Sequence, residues 1–406
     1  MKKTLLLGTT ALIAAGVVSS GVVQAAEDPI SVGVGGYVRS AMGFIDQNSA
    51  DGQFANAANS MTIANDIEIT ISGSTTLDNG ITAGVSFNIE GNADATAGSE
   101  SLDERHAFFQ GSFGQIKFGQ IESARQEMTN FAPSGNYNFG VNTPFFIFGN
   151  PGNNGTTGIF NVRTYDDGLG IEDNLKLVYF SPTFNGFRIG ASYSPGDSNG
   201  DQYGGNAGNA LGGLQNNAAV AAEFSNNFGD FNIRLMAGYE AYTLETCNVN
   251  AAGVTTVASR VTQTPALTTT IANASDQNCE NNPGSTQFGG KISFGEWSIG
   301  GGWLESDQVS NNAAGRGMER TDYDIGVSWW SGPFGVGLMY GSAEVEVAAD
   351  NTTDDFTIYE LNGTYVLGPG IDVGATIRRG DFDDGTAVGG LDNEFTEFAI
   401  SAAMTF

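Results

Sequence analysis

Residues 79–92, NGITAGVSFNIEGN, alternate Ile81, Ala83, Val85, Phe87 and Ile89 with Thr82, Gly84, Ser86, Asn88 and Glu90. A side-chain period of two belongs to an extended strand, and here one face is apolar and the other polar. The device recurs from the first strand near residue 30 to Phe406. Any fold for this chain must therefore supply two different environments to strand after strand.

The alternating runs fall near residues 30–45, 62–77, 79–92, 103–112, 115–122, 174–184, 186–194, 217–228, 230–243, 285–294, 297–306, 321–330, 334–346, 355–367, 370–379 and 394–406. Tight turns alternate with long polar connections between them. The turn DNG supplies in Gly80 the positive φ that a two-residue hairpin needs. The longest connection runs over residues 123–173. About sixteen strands, an even number with long loops at one end and short turns at the other, is the pattern of a closed antiparallel barrel.

The apolar face carries Val34, Val38, Met42 and Phe44 early in the chain, and later Ile189, Leu235, Ile299, Ile325 and Leu338, with aromatics near strand ends. The polar face carries Arg39, Glu68, Thr70, Ser72, Lys117, Arg188, Arg234, Lys291, Asp324 and Arg378. A soluble sandwich would bury the apolar face and wet the polar one. It does not account for so many paired strands with alternating long and short connections. A transmembrane barrel inverts the arrangement, apolar outward to lipid and polar inward to water, and closure satisfies each backbone group in hydrocarbon. The fold class expected is all-β, a transmembrane antiparallel β-barrel.

Charge narrows the function. With 16 Lys plus Arg against 45 Asp plus Glu, the net charge is -29. Nucleic acid binding needs clustered cations and is excluded as a partner; an acidic body of this kind attracts cations. Residues 1–26 have Lys2 and Lys3, a short apolar run and the small-residue site VQAA, which read as a secretory signal peptide rather than an anchor. Residues 27–406 form the barrel unit, with no run of 18 apolar residues. In an exported chain, Cys247 and Cys279 are expected to close their polar loop as a disulfide.

Chemistry of other kinds finds little support. Hydrolysis of the histidine-dependent kind would have to use His106, the only histidine, and neither a GxSxG elbow nor an HExxH is present. Asp197, Asn199 and Asp201 have calcium-like spacing, but Gln202 and Gly208 stand where an EF-hand needs its glycine and glutamate. No metal site or cofactor is expected, beyond loose Ca²⁺ binding by these residues and by Asp381, Asp383 and Asp384.

The opening GVGGYVRSAMGF, the hairpin HAFFQGSFGQIKFGQ, the long loop after the fifth strand and the terminal FAISAAMTF resemble the general diffusion porins of Gram-negative outer membranes, most closely the alphaproteobacterial type. The resemblance implies a water-filled channel for ions and small hydrophilic solutes, narrowed by a long third loop folded into the lumen. In such porins acids on that loop oppose bases on the wall. The loop positions implied here are Asp166, Asp167, Glu172 and Asp173; the wall positions are Arg39, Glu68, Lys117, Arg188, Arg234 and Arg378. Gln120 and Glu68 stand where relatives often carry a base, which favours weak cation preference. The family also implies a homotrimer, contact with outer-membrane lipid and lipopolysaccharide, and Phe406 as the signal read by the outer-membrane assembly machinery. The rival readings are a sugar- or anion-selective porin and a plugged adhesion barrel.

Overall fold

The computed structural model describes residues 30–47, 60–91, 102–142, 147–149, 162–165, 174–196, 214–244, 248–249, 255–256, 270–271, 283–308, 318–347, 352–383, 385 and 393–406. The signal-peptide segment, Asp166, Asp167, Glu172, Asp173, Asp197, Asn199, Asp201, Asp384 and both cysteines lie outside the described residues.

Sixteen antiparallel strands close into one barrel. They are β1 (Ser31–Gln47), β2 (Met61–Thr76), β3 (Thr82–Glu90), β4 (Leu102–Gly111), β5 (Gly114–Gln120), β6 (Leu175–Phe180), β7 (Phe187–Ser194) and β8 (Leu214–Phe228) in the first half. The second half has β9 (Phe231–Leu244), β10 (Gly284–Phe294), β11 (Trp297–Gln308), β12 (Met318–Ser331), β13 (Phe334–Val347), β14 (Thr352–Gly368), β15 (Ile371–Asp383) and β16 (Asn393–Thr405). Every strand pairs with its neighbours in sequence, and β16 returns to β1 with Ser40 opposite Ala402 and Phe44 opposite Phe398. Gly36 and Phe406 exchange backbone hydrogen bonds at 3.0 Å, which sews the last residue into the seam. Three two-residue strands, Asn248–Val249, Thr255–Thr256 and Thr270–Ile271, form a separate small sheet.

The expected strands match these elements to within a few residues, and the tight turn read at Gly80 falls between β2 and β3. Gly80 has φ 77° and Gly370 φ 71°, conformations that strain any residue with a Cβ. One expectation of loop length fails. The β13–β14 connection, residues 348–351, is as short as the turns, because both flanking strands run on beyond the alternating pattern.

The two faces differ sharply. On β13, Leu338 is 57 % exposed and its neighbour Met339 is 2 % exposed. Outward-facing rings form two rows. Phe334 lies 5.0 Å from Tyr365 near the turns, and Tyr340 lies 4.9 Å from Tyr359 further along. Between the rows Leu338 stands opposite Leu361 in an aliphatic band. The rows are about 20 Å apart along the strand, at about 3.3 Å per residue, and this is a girdled hydrocarbon-facing surface.

The inward face is not uniformly polar. Met339, Ala343, Val345, Phe356, Ile358, Phe382 and Phe395 are buried there with Ala132, Val141 and Val162 from the long connection between β5 and β6. These residues interrupt the simple rule of apolar-out, polar-in, because part of the inner wall is packed rather than wet. The fold predicts that Leu338→Arg, in the aliphatic band, destabilises the barrel in lipid by about 2–4 kcal/mol. Denaturant titration of folding into vesicles measures it, and an unchanged midpoint would contradict the assignment of this face.

Candidate functional site

Much of the inner wall of β1–β5 is partly exposed, although Ala41 is buried in a cluster with Phe139 of the long connection and Asp66 and Ser72 are buried too, whereas the inner faces of β6–β16 are mostly buried. On the first wall, Arg39 Nε donates to Asp66 Oδ2 at 2.5 Å, and the Arg39 guanidinium lies 4.5 Å from the Tyr37 ring centroid. The Tyr37 hydroxyl donates to Glu68 at 3.3 Å, and so does the Thr70 hydroxyl at 3.4 Å. Register places Glu68 directly opposite Glu90. Asn88 donates to Glu104 at 3.4 Å from the same face of β3. The result is an acid-rich strip with Arg39 at its edge.

Arg39 and Glu68 were read from the sequence, and they do share this strip. Asp66 was missed as its third member, although its parity with Glu68 was a usable signal. Glu90 was read as polar-facing, but only strand register joins it to Glu68. His106 sits opposite Ser86 and Gly119, its ring 6.4 Å from that of Phe108. No acidic orienting partner for it appears among the described residues, and its Nδ1 has no hydrogen-bond partner.

The β5–β6 connection covers the opposite wall. It starts with a single helical turn, α1 (Ala124–Glu127), held by a reciprocal capping box between Ser123 and Gln126. Glu127 pairs with Lys117 of β5 at 2.5 Å. Arg125 is fully buried; its Nε donates to Glu240 at 2.8 Å and its Nη1 to Gln287 and to the Tyr165 carbonyl, both at 3.2 Å. Glu240 also accepts from the Ser123 hydroxyl at 2.8 Å and from Asn217 at 2.7 Å. A buried ion pair survives desolvation only when its remaining valences are filled in this way.

Further along, the connection bonds to strand after strand. Asp324 of β12 accepts from the Ala132 and Gly302 N–H groups at 2.8 Å each, from Asn142 at 2.9 Å and from the Thr164 hydroxyl. Gly135 N–H donates to Asn362 at 2.9 Å, and Asn136 to the Gly363 carbonyl at 2.7 Å. Asn138 donates to Asp372 at 3.1 Å. Arg163 N–H reaches Asp322 at 2.9 Å. The Phe148 and Gly149 N–H groups donate to Glu397 at 2.8 and 3.1 Å. Gly337 permits this approach, since a Cβ there would press on the Gly135 and Ser134 backbone.

The remaining wall cations have distinct settings. Arg378 is fully buried between Glu360 and Glu397, with the Phe139 ring centroid 5.1 Å away. It anchors the covered wall. Arg234 pairs with Glu223 at 2.5 Å, and Arg188 lies 4.3 Å over the Phe180 ring. Asp381 and Asp383 sit on β15. No group of three or more His, Cys, Asp or Glu among the described residues has metal-binding geometry. The terminal strand alternates as read, with Phe398, Ile400, Met404 and Phe406 exposed on the outer face.

The family described as Gram-negative porin matches residues 8–385. No curated protein matches the chain. Among solved structures, the trimer form of OmpT, an outer membrane protein of Vibrio cholerae, is 14 % identical with TM-score 0.58, covering 93 % of this chain and 100 % of that one. The anion-selective porin from Comamonas acidovorans is 13 % identical with TM-score 0.57, at 93 % and 100 % coverage. The outer membrane channel DcaP of Acinetobacter baumannii is 13 % identical with TM-score 0.59, at 94 % and 99 % coverage.

Asp324 ties two pieces of the connection to β11 and β12, so Asp324→Ala leaves four donors without their acceptor, at about 1–3 kcal/mol for each that stays buried. The expected outcome is protease cleavage within residues 121–174 of a barrel whose strand content is unchanged. Resistance equal to that of the parent protein would show that Asp324 does not hold the segment.

Proposed function

This chain belongs to the Gram-negative porin family, and from that premise we propose that it is a passive diffusion channel for ions and small hydrophilic solutes. The membership makes it an outer-membrane channel; the route through it, and what it prefers, are our reading. The β5–β6 connection folds into the lumen as the constriction, and solute passes between it and the inner wall of β1–β5. The observation that carries this is the unequal burial of the inner face, wet on one side and packed on the other.

The acid strip of Asp66, Glu68 and Glu90, with Arg39 paired to Asp66, favours cations at the narrow passage. The net charge of -29 acts in the same direction at longer range. Asp166, Asp167, Glu172 and Asp173 belong to the same connection and are proposed to line its rim. Lys117, Arg188 and Arg234 line the wall, and Arg378 supports it from beneath the connection.

Residues 1–26 direct export and are removed, leaving residues 27–406 in the outer membrane among lipid and lipopolysaccharide. Phe406 is the assembly signal. Cys247 and Cys279 close a loop as a disulfide. The subunit forms a homotrimer through the seam of β1 and β16, where Gly36, Ser40 and Ala402 are small and outward-facing; one structural neighbour is described as a trimer form. The channel carries out no catalysis.

In planar bilayers under a KCl gradient, the reversal potential should be that of a cation-preferring pore. Glu68→Gln with Glu90→Gln should move it toward the unselective value, and Asp166→Asn with Asp167→Asn should do the same. A reversal potential unmoved by the first pair would remove the acid strip from the passage, and one unmoved by the second would remove those two residues from the rim. A folded barrel without conductance would favour the plugged alternative.

A further inference from the structure

The outer face of β11–β14 carries a groove at the turn end of the barrel. Trp297, Val327, Trp329, Val336, Leu338 and Leu361 line this depression of about 290 Å³. The register explains why the surface dips there. Trp297 stands opposite Trp329, Trp329 opposite Val336, and Val336 opposite Gly363. One row across four strands therefore falls from two indoles to a residue with no side chain. Leu338 and Leu361 carry the groove two residues further, about 7 Å into the aliphatic band at about 3.3 Å per residue. It thus runs from the aromatic row near the turns into the hydrocarbon-facing surface, the direction an acyl chain takes.

The mouth of the groove is polar. Glu296, in the turn between β10 and β11, accepts from the Trp329 indole N–H at 3.1 Å and from the Ser331 hydroxyl at 2.6 Å. Each carboxylate oxygen takes one donor and keeps acceptor capacity for another. These bonds fix the Trp329 ring and hold an exposed carboxylate at the rim. Trp297 is exposed, and its indole N–H has no hydrogen-bond partner among the described residues. The rim therefore offers one negative charge, one free donor and indole faces that attract cations. The surrounding charge has the same sign. Asp78, Asp230 and Glu296 stand in turns at this end, whereas Lys117, Arg188, Arg234 and Lys291 belong to the inner face. Among the described residues no Lys or Arg faces outward at the turn end, so an anionic headgroup would meet carboxylates and no cation.

We propose that the groove is a binding site for a zwitterionic phospholipid that bears a primary ammonium. One acyl chain lies in the trough over Val336 toward Leu338 and Leu361. The ammonium donates to Glu296, and a phosphate oxygen accepts from the Trp297 indole N–H. A primary ammonium has N–H groups for a charge-assisted bond to the carboxylate; a quaternary one has none, and an anionic headgroup is repelled. The inference goes beyond the channel reading and needs only that the outer face meets lipid.

Tryptophan fluorescence of the full-length protein in phosphatidylcholine vesicles tests this. Phosphatidylethanolamine, phosphatidylcholine and phosphatidylglycerol with the same brominated acyl chains are added in turn, and quenching gives association constants relative to bulk lipid. Trp297 and Trp329, two of the four tryptophans, report from the groove itself. Phosphatidylethanolamine is expected to bind at least threefold more tightly than either of the others. Glu296→Gln, which keeps an acceptor for the Trp329 indole, should abolish that preference. Asp230→Asn removes the same charge from another turn and should leave it unchanged. Val336→Phe fills the trough and should weaken binding of all three lipids, with strand content by circular dichroism unchanged in every variant. Equal constants for the three lipids would make the groove ordinary lipid-facing surface and overturn the proposal. So would a preference for phosphatidylglycerol, or one for phosphatidylethanolamine that Glu296→Gln does not move. Phosphatidylcholine bound as tightly as phosphatidylethanolamine, and more tightly than phosphatidylglycerol, would overturn the primary ammonium as the group recognised. Conductance enters none of these outcomes, so the channel reading stands or falls separately.

Discussion

The pairing of β16 with β1 is the constraint on which everything else depends. A sheet with a hydrocarbon-facing surface cannot leave an edge, since each unpaired N–H or C=O in lipid costs several kcal/mol. Closure meets that demand, and Phe406 completes it by exchanging hydrogen bonds with Gly36. Once the sheet is closed, each strand has an inside and an outside, and the period-two pattern follows from the geometry. Sixteen strands, however, enclose more space than side chains from the wall can fill.

The described residues of the β5–β6 connection bond to inward-facing side chains of the wall, and this attachment is mostly polar. Glu240, Asp324 and Glu397 each accept from several donors on the connection. A carboxylate in a low-dielectric setting is expensive unless its oxygens are filled, so these acids specify one arrangement of the connection. Met339, Val345, Phe356 and Phe395 add a dry contact below it. Combined, they make one side of the inner wall a packed surface, while much of the β1–β5 inner face stays partly exposed. Charge is divided similarly, with Asp66, Glu68 and Glu90 on the inner face of β2 and β3, and Arg188, Arg234 and Lys291 near the turns at Gly186, Gly229 and Gly295.

Local pattern was enough to read the strands, because each needs only its own alternation. Leu338 and its outward neighbours were legible for the same reason. Met339 was not: an apolar residue on the polar parity looks like noise until the packing partner Val141 or Val162 is known. The anchors are remote in sequence, Asn142 to Asp324 across 182 positions and Gly135 to Asn362 across 227. No periodicity encodes such a pairing. Arg39 was found by parity, and its partner Asp66 required the β1–β2 register.

The central claim is that water and solute pass along the β1–β5 wall and not along β6–β16. The most direct test places single cysteines at Ser86 on β3 and at Ser328 on β12, in a background with Cys247 and Cys279 replaced by serine. A membrane-impermeant thiol reagent is then applied during bilayer recording. Rapid modification with loss of current at position 86, and none at the buried position 328, is the result the account predicts. Equal modification at both, or modification at 328 alone, would contradict it.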